Sequence, residues 1–339
     1  FPTRRSSDLL PEGAFVARRD LIDNTADEDD AHPRQAGALW ALACLNRDRH
    51  TPDTQRAVIR GLDFFHRCSQ PLKSGQIAPV HAAADDVRAV TLAFVCLAIV
   101  DLWRGQEPDL AGLGRGFYDS WLETYLAALQ SLEGPDGGWA MRYIIPLNER
   151  DPERSGAADG AALLAYCRAA RAMGRSALIP RIERSALQLA EYYTLTAWKK
   201  DPGSEDSRWF APHGCLAFAE YVEAGWKDAE VVGDAAMALA WWLIHEHAVE
   251  ARIANSAYAL EALLGAYRIA RHRRDFAAME RLRTVCERLL VRQISWQAGG
   301  PLRDLNPFLR ERPLPPKAAG GFMTATASGG FQYMMEGIE

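Results

Sequence analysis

Residues able to do chemistry gather where the apolar helical pattern starts anew. Asp29, Asp30, His32 and Arg34 stand before the first such stretch, and Asp85, Asp86 and Arg88 before the second. Asp159 opens the third, His213 the fourth, and Arg252 with Asn255 the fifth, while Arg142 and Tyr143 follow a Pro-Asp-Gly-Gly-Trp turn at 135–139. Two carboxylates flanking a glycosidic bond make a hydrolase, and Asp86 and Asp159 are the pair expected to supply them. A lyase asks instead for a base, Tyr143 or His213, with Arg34 or Arg88 neutralising a sugar carboxylate. Asp30, Arg142, Arg252 and Asn255 complete the expected binding set. Trp139 and Trp40 offer flat faces on which a sugar ring can stack. Each assignment has a plainer alternative: Asp86 and Asp159 could cap their helices, and Trp139 could plug a hairpin end.

The elements that must hold these residues are helices. Apolar residues keep a 3.6-residue spacing almost throughout, which predicts helices near 34–47, 53–68, 85–104, 113–132, 157–173, 176–198, 211–223, 228–248, 252–272, 275–295 and 323–335. A short strand or hairpin is expected ahead of them, between Gly13 and Asn24. The helices are of two kinds. Ala36 to Leu42, Ala157 to Ala165, His213 to Ala219 and Ala257 to Ala266 are rich in small residues and can be surrounded on all sides. Others carry a charged face, such as Arg181, Glu183, Arg184 and Glu191, and read as solvated on one side. Inner and outer helices alternating along a chain describe an all-α fold, an α/α toroid of about six hairpins. The predicted inner helices are 34–47, 85–104, 157–173, 211–223, 252–272 and 323–335. The sixth lacks an outer partner, so the ring is expected to be open or cut short at its C-terminus.

Composition narrows the function. With 339 residues, 48% hydrophobic, and ten tryptophans, the chain can bury a sizeable core. A formal charge of −5 gives no reason to expect a nucleic-acid partner. The six cysteines lie in apolar helical patterns without a CxxC pair, which predicts free thiols and favours a cytoplasmic, reducing setting. The apolar runs Ala89–Val100 and Ala235–Ile244 fall short of the roughly 20 residues of a membrane span; the second holds the Trp241-Trp242 pair, expected in the core. No metal or cofactor is expected: there is no phosphate-binding glycine loop, nucleophile elbow or HExxH, and Gly320-Gly321 and Gly329-Gly330 lack a strand–helix setting. Residues 1–9 read as a translated sequencing adapter, which leaves 10–339 as a single toroid domain, its true start and localisation open.

One motif carries a resemblance. Gln130 followed by Asp136-Gly137-Gly138-Trp139 resembles the glutamine–tryptophan repeat of the terpenoid cyclase and prenyltransferase toroid superfamily, with weaker echoes at Gln70 to Gln76 and Gln293 to Gly300. The resemblance implies an α/α toroid, a shape shared with polysaccharide lyases, six-hairpin glycosidases and sugar epimerases, and leaves the reaction undecided. Asp27-Glu28-Asp29-Asp30 has the form of the proton-donor motif of class II terpene cyclases, which implies Asp29 as the acid. It departs from the motif in continuing with Ala31-His32-Pro33, and the second toroid domain of those cyclases is missing. The zinc of protein prenyltransferases would need ligands beyond His213-Gly214-Cys215 that the spacing does not supply.

The expected function is therefore a carbohydrate-active enzyme (glycosidase, lyase or sugar epimerase) holding a small-molecule or glycan substrate in the ring. The alternatives are a terpenoid-cyclase-like or prenyl-binding toroid and a non-catalytic helical-repeat scaffold. The turn at 134–139 itself reads as a fastener between hairpins.

Overall fold

The computed structural model describes residues 9–10, 12–15, 18–19, 26–27, 32–73, 75–81, 84–105, 115–251 and 257–311. Helices α1 (His32–Asp48) and α2 (Pro52–Arg67) form a first hairpin, and α3 (Ala89–Arg104) and α4 (Arg115–Ser131) a second. The third pairs α5 (Gly156–Met173) with α6 (Ile179–Glu191), which continues through a π-helical segment, Tyr192–Thr196, into α7 (Ala197–Lys200). Next come α8 (Glu205–Ala224) with α9 (Ala229–His245), then α10 (Ala257–Arg273) with α11 (Phe276–Ser295), and a short α12 (Pro307–Glu311). Contacts run from α1 to α3, α3 to α5, α5 to α8 and α8 to α10, so these five make the inner file of an α/α toroid. The inner and outer assignments match the expected ones. The sixth expected inner helix, 323–335, lies outside the described residues. No helix among the described residues is long and apolar enough to cross a membrane.

Side-chain size explains the layering. Nearly every residue of α3 from Ala89 to Leu102 is buried, as befits a helix enclosed on all sides. Glycine lets the inner helices approach closely. A Cβ on Gly160 of α5 would stand 2.8 Å from the Gly214 nitrogen of α8, and one on Gly265 of α10 would stand 2.5 Å from the Cys215 carbonyl. The outer helix α2 is set by Thr51, which caps Thr54 in a reciprocal box with Pro52 behind it.

The helix expected over 211–223 begins earlier, at Glu205. Ser204 accepts from the Ser207 amide, and Glu205 and Asp206 suit the positive helix end. Pro212 therefore sits inside α8, where the Arg208 carbonyl loses its usual amide donor.

Strands modify the all-helical expectation at the rim. A hairpin pairs β1 (Arg18–Arg19) with β2 (Ala26–Asp27), its second strand lying past the stretch from Gly13 to Asn24 where a short strand or hairpin was expected. The echo at Gln70 is a second hairpin, β3 (Ser69–Pro71) with β4 (Ile77–Pro79), rather than a helix end. Residues expected to begin the second inner helix instead form β5 (Asp86–Arg88), paired with β6 (Arg142–Ile144) and through it with β7 (Glu149–Arg150). Strands of two or three residues are too short to leave a period in the sequence.

The turn after α4 is indeed a fastener. Its Trp139 is 2% exposed and meets Tyr166 edge to face at 5.2 Å. The Trp139 amide donates to Asp159 Oδ1 at 2.6 Å, and the Tyr193 hydroxyl donates to Asp159 Oδ2 at 2.7 Å. Tyr193 comes from the π-helical segment, whose displaced Tyr193 carbonyl accepts from the Ser207 hydroxyl. Asp159 therefore joins the inner and outer layers. Burial pushes its carboxyl up to about 6, against the pull of Arg154 and of its two donors.

At the far end, charges link the inner file. Asp101 of α3, fully buried, accepts from Trp40 Nε1 at 2.8 Å and Arg47 at 2.7 Å, both on α1, and from Arg168 of α5 at 2.7 Å. Arg168 lies 3.5 Å from Glu220 of α8, which also takes Arg171 of α5 and Arg268 of α10. Burial alone would raise the Asp101 carboxyl, but the Arg168 and Arg47 guanidiniums hold it below the ordinary carboxylate value. Apart from Trp40, which lies midway along α1, these groups lie in the last two turns of their helices, so this end of the ring is occupied by paired charges.

Two outcomes are expected. Asp101→Asn strands buried cations and lowers unfolding free energy by about 3–5 kcal/mol in urea titrations; a loss under about 1 kcal/mol would show that the network is dispensable. Asp159 holds its proton more tightly folded than unfolded, so its contribution is full below about pH 3.8 and fades as pH rises through about 6. The stability of the native chain relative to Asp159→Asn is therefore expected to fall between pH 4 and pH 7; an unchanged difference rejects the assignment.

Candidate functional site

Within the ring, above the charge network, a histidine and a glutamate face each other from adjacent inner helices. His213 Nε2, midway along α8, lies 3.7 Å from Glu261 Oε2, in the second turn of α10. Trp40 of α1 and Phe94 of α3 reach the same level. Their rings stack at 5.3 Å, and their centroids lie 5.7 Å and 5.1 Å from that of His213. Arg168 passes beneath, 5.5 Å from the Trp40 ring. Four inner helices thus contribute to one spot, where a buried aromatic wall, Trp40 at 9% and Phe94 at 1% exposure, backs the His213–Glu261 pair.

The electrostatics of the pair are unusual. Burial pushes the His213 imidazole down to about 4, helped by the positive charge of Arg168. The protein massed around Glu261 pushes its carboxyl up to about 7, with Arg168 opposing. Glu261 nonetheless keeps 49% of its side-chain surface accessible, against 9% for His213. The pair therefore has its Glu261 side open to solvent and its His213 side enclosed. Between about pH 4 and about pH 7 the imidazole is a free base and the carboxyl carries a proton. The His213 Nδ1 has no hydrogen-bond partner, so no neighbouring group dictates the tautomer.

A second cluster lies on the lip. Asp86, 1% exposed, sits 3.3 Å from Arg88 Nε and 3.6 Å from an Arg142 terminal nitrogen, while Arg142 Nε donates to Asp151 at 2.9 Å. Tyr143 points to the opposite face of β6, is 7% exposed, and donates to Asn148 Oδ1.

The expected site residues therefore divide. His213 and Trp40 meet in the ring, and Asp86, Arg88 and Arg142 meet at the lip. Asp159 has no exposed surface and is consumed by the fastener, so it and Asp86 do not flank an open cleft as a glycosidase pair must. Trp139, at 2% exposure, has no ring face left for a sugar. Arg34 is half-buried in the first turn of α1. Asp30, Arg252 and Asn255 lie outside the described residues. Glu261 and Arg168 were not anticipated. Glu261 is the one charge between Ala257 and Ala266, where an ionised group needs a partner or a task, whereas Arg168 shares its helix with Asp159 and Arg171 and carries no such mark. Among the described residues, no three His, Cys, Asp or Glu side chains converge as metal ligands would.

At the sequence level the chain matches no family model and no curated relative. Its structure is similar to that of a D-mannose isomerase, with a TM-score of 0.61 at 12% identity over 86% of this chain and 84% of that one. It is similar to the cellobiose 2-epimerase of Bacillus thermoamylovorans, with a TM-score of 0.57 at 11% identity over 82% and 81%. A third similar structure is the GH76A α-1,6-mannanase of Salegentibacter sp., with a TM-score of 0.54 at 12% identity over 82% of this chain and 96% of that one. At these identities the likeness establishes the fold, an α/α toroid.

Proposed function

We propose that the protein is a carbohydrate-active enzyme of the isomerase or epimerase kind, moving a proton on a sugar held in the ring. The observation that carries this reading is the His213–Glu261 pair, 3.7 Å apart beside the Trp40–Phe94 wall. A neutral imidazole can take the proton from the carbon next to a sugar carbonyl. A protonated carboxyl can give its own proton to the carbonyl oxygen, which yields an enediol. Return of a proton to the neighbouring carbon or to the opposite face then gives the isomer or the epimer, with both side chains restored. Trp40 and Phe94, 9% and 1% exposed, pack against His213 and hold its ring in place.

Similarity to proteins named as a mannose isomerase and a cellobiose epimerase supports this choice among the chemistries an α/α toroid can host. A hydrolase would need a second carboxylate across the cavity, and Asp159 is not free to serve. The isoprenoid alternative rests on the Gln130 and Asp136–Trp139 motif, whose tryptophan is buried in the fastener, and on the run from Asp27 to Asp30, of which Glu28 to Asp30 lie outside the described residues. A scaffold reading leaves unexplained why a half-exposed carboxyl should be held near neutrality beside a buried base.

The test is proton exchange in heavy water, followed by NMR with neutral and acidic aldoses, mannose and cellobiose among them. Deuterium is expected next to the carbonyl carbon, with kcat/KM rising as pH passes about 4, where His213 loses its proton, and falling past about 7, where Glu261 does. His213→Asn should lower the rate by roughly 100-fold to 10,000-fold, and Glu261→Gln should remove the alkaline limb. Exchange that survives His213→Asn would falsify the assignment of the base.

A further inference from the structure

The lip holds two like charges directly opposite one another. Arg88 and Arg142 are register partners across β5 and β6, so their side chains leave the same face of the sheet, an arrangement unfavourable in itself. Asp86 sits between them, buried to 1%, and Asp151 takes Arg142 from the other side. In both arginines the hydrogen bond to a carboxylate is made by Nε. Apart from the 3.6 Å approach of Arg142 to Asp86, the terminal nitrogens of neither guanidinium meet an acceptor among the described residues. Their side chains remain 32% and 36% exposed. Two forks are thus fixed from behind by buried carboxylates, with their terminal edges open to solvent. Asp86 and Asp151 balance the two charges, and the exposed Asp85 lies alongside. The pair therefore offers directed donors more than a net positive field.

Planar forks of this kind match the two oxygens of a carboxylate or phosphate. The lip also has a fixed relation to the ring. Arg88 immediately precedes α3, and Phe94 of the aromatic wall follows on the same helix. The rise from position 88 to position 94 is about 9 Å.

We propose that Arg88 and Arg142 form a lip subsite for an oxyanion borne by the substrate, so that the preferred sugar is acidic. This rests on the reading of the ring as a sugar cavity. The oxyanion lies one unit outward from the sugar ring that reacts at His213 and Glu261. The carboxylate of a uronic acid and the phosphate of a sugar phosphate are its two sources.

Calorimetric titration of the whole chain with cellobiose, cellobiouronate and cellobiose 6′-phosphate tests it. One acidic form is expected to bind roughly tenfold to a hundredfold more tightly than cellobiose, with the preference shrinking as sodium chloride is added. Which acid binds better names the source. Arg142→Lys keeps the charge beside Asp86 and Asp151 but removes the fork, and should cut the preference. Arg88→Gln, which leaves Asp86 paired with Arg142, is the second variant and should do the same. Equal binding of acidic and neutral disaccharides overturns the subsite while the cavity reading stands. Binding of none of the three overturns both, and an acid preference that persists in both variants overturns the assignment to these arginines.

Discussion

The ring depends on a chain of alternating charges that passes through the five inner helices of the described residues. It runs from Arg47 on α1 to Asp101 on α3, to Arg168 on α5, to Glu220 on α8 and to Arg268 on α10. Apolar packing brings helices together without fixing their rotation or their height, whereas a buried ion pair tolerates little displacement before its desolvation goes uncompensated. Each link fixes one helix against the next. The glycines at 160 and 265 permit the close approach that this registration requires. The outer helices, with exposed pairs such as Arg283 with Glu280 and Glu287, contribute comparatively little to that register.

Closing one end of the ring by charge sets the conditions at the other. Arg168 belongs to both regions: its guanidinium is bound to Asp101 while its field reaches His213 and Glu261. The same burial acts in opposite directions on the two groups, down on the imidazole and up on the carboxyl. An adjacent base and acid are thereby kept neutral in the same pH range. Two carboxylates so placed would have titrated against each other, and two histidines would both have lost their protons.

Legibility in the sequence tracked the length over which a signal is summed. The inner helices could be recognised because small residues recur over four or five turns, and the charged faces of the outer ones recur over the same span. The strands at 86–88 and 142–144 left no such trace. His213 and Trp40 could be singled out as isolated polar and aromatic residues near the starts of inner helices. Asp159 could not be assigned from its position alone. An aspartate in a first turn looks the same in sequence whether it caps the helix, faces the cavity or faces the outer layer, and each residue turns the direction by about 100°. Glu261 and Arg168 acquire meaning only from neighbours on other helices, at separations no local pattern records.

The lip strands differ from everything beneath them in what they are attached to. Asp86, Arg88 and Arg142 lie on segments of three residues, joined to long helices but not threaded through the buried charge chain. A substitution at these positions therefore leaves the five linked charges and the Asp159 fastening in place. The rim can thus be rebuilt while the buried charges that set helix height and rotation stay where they are.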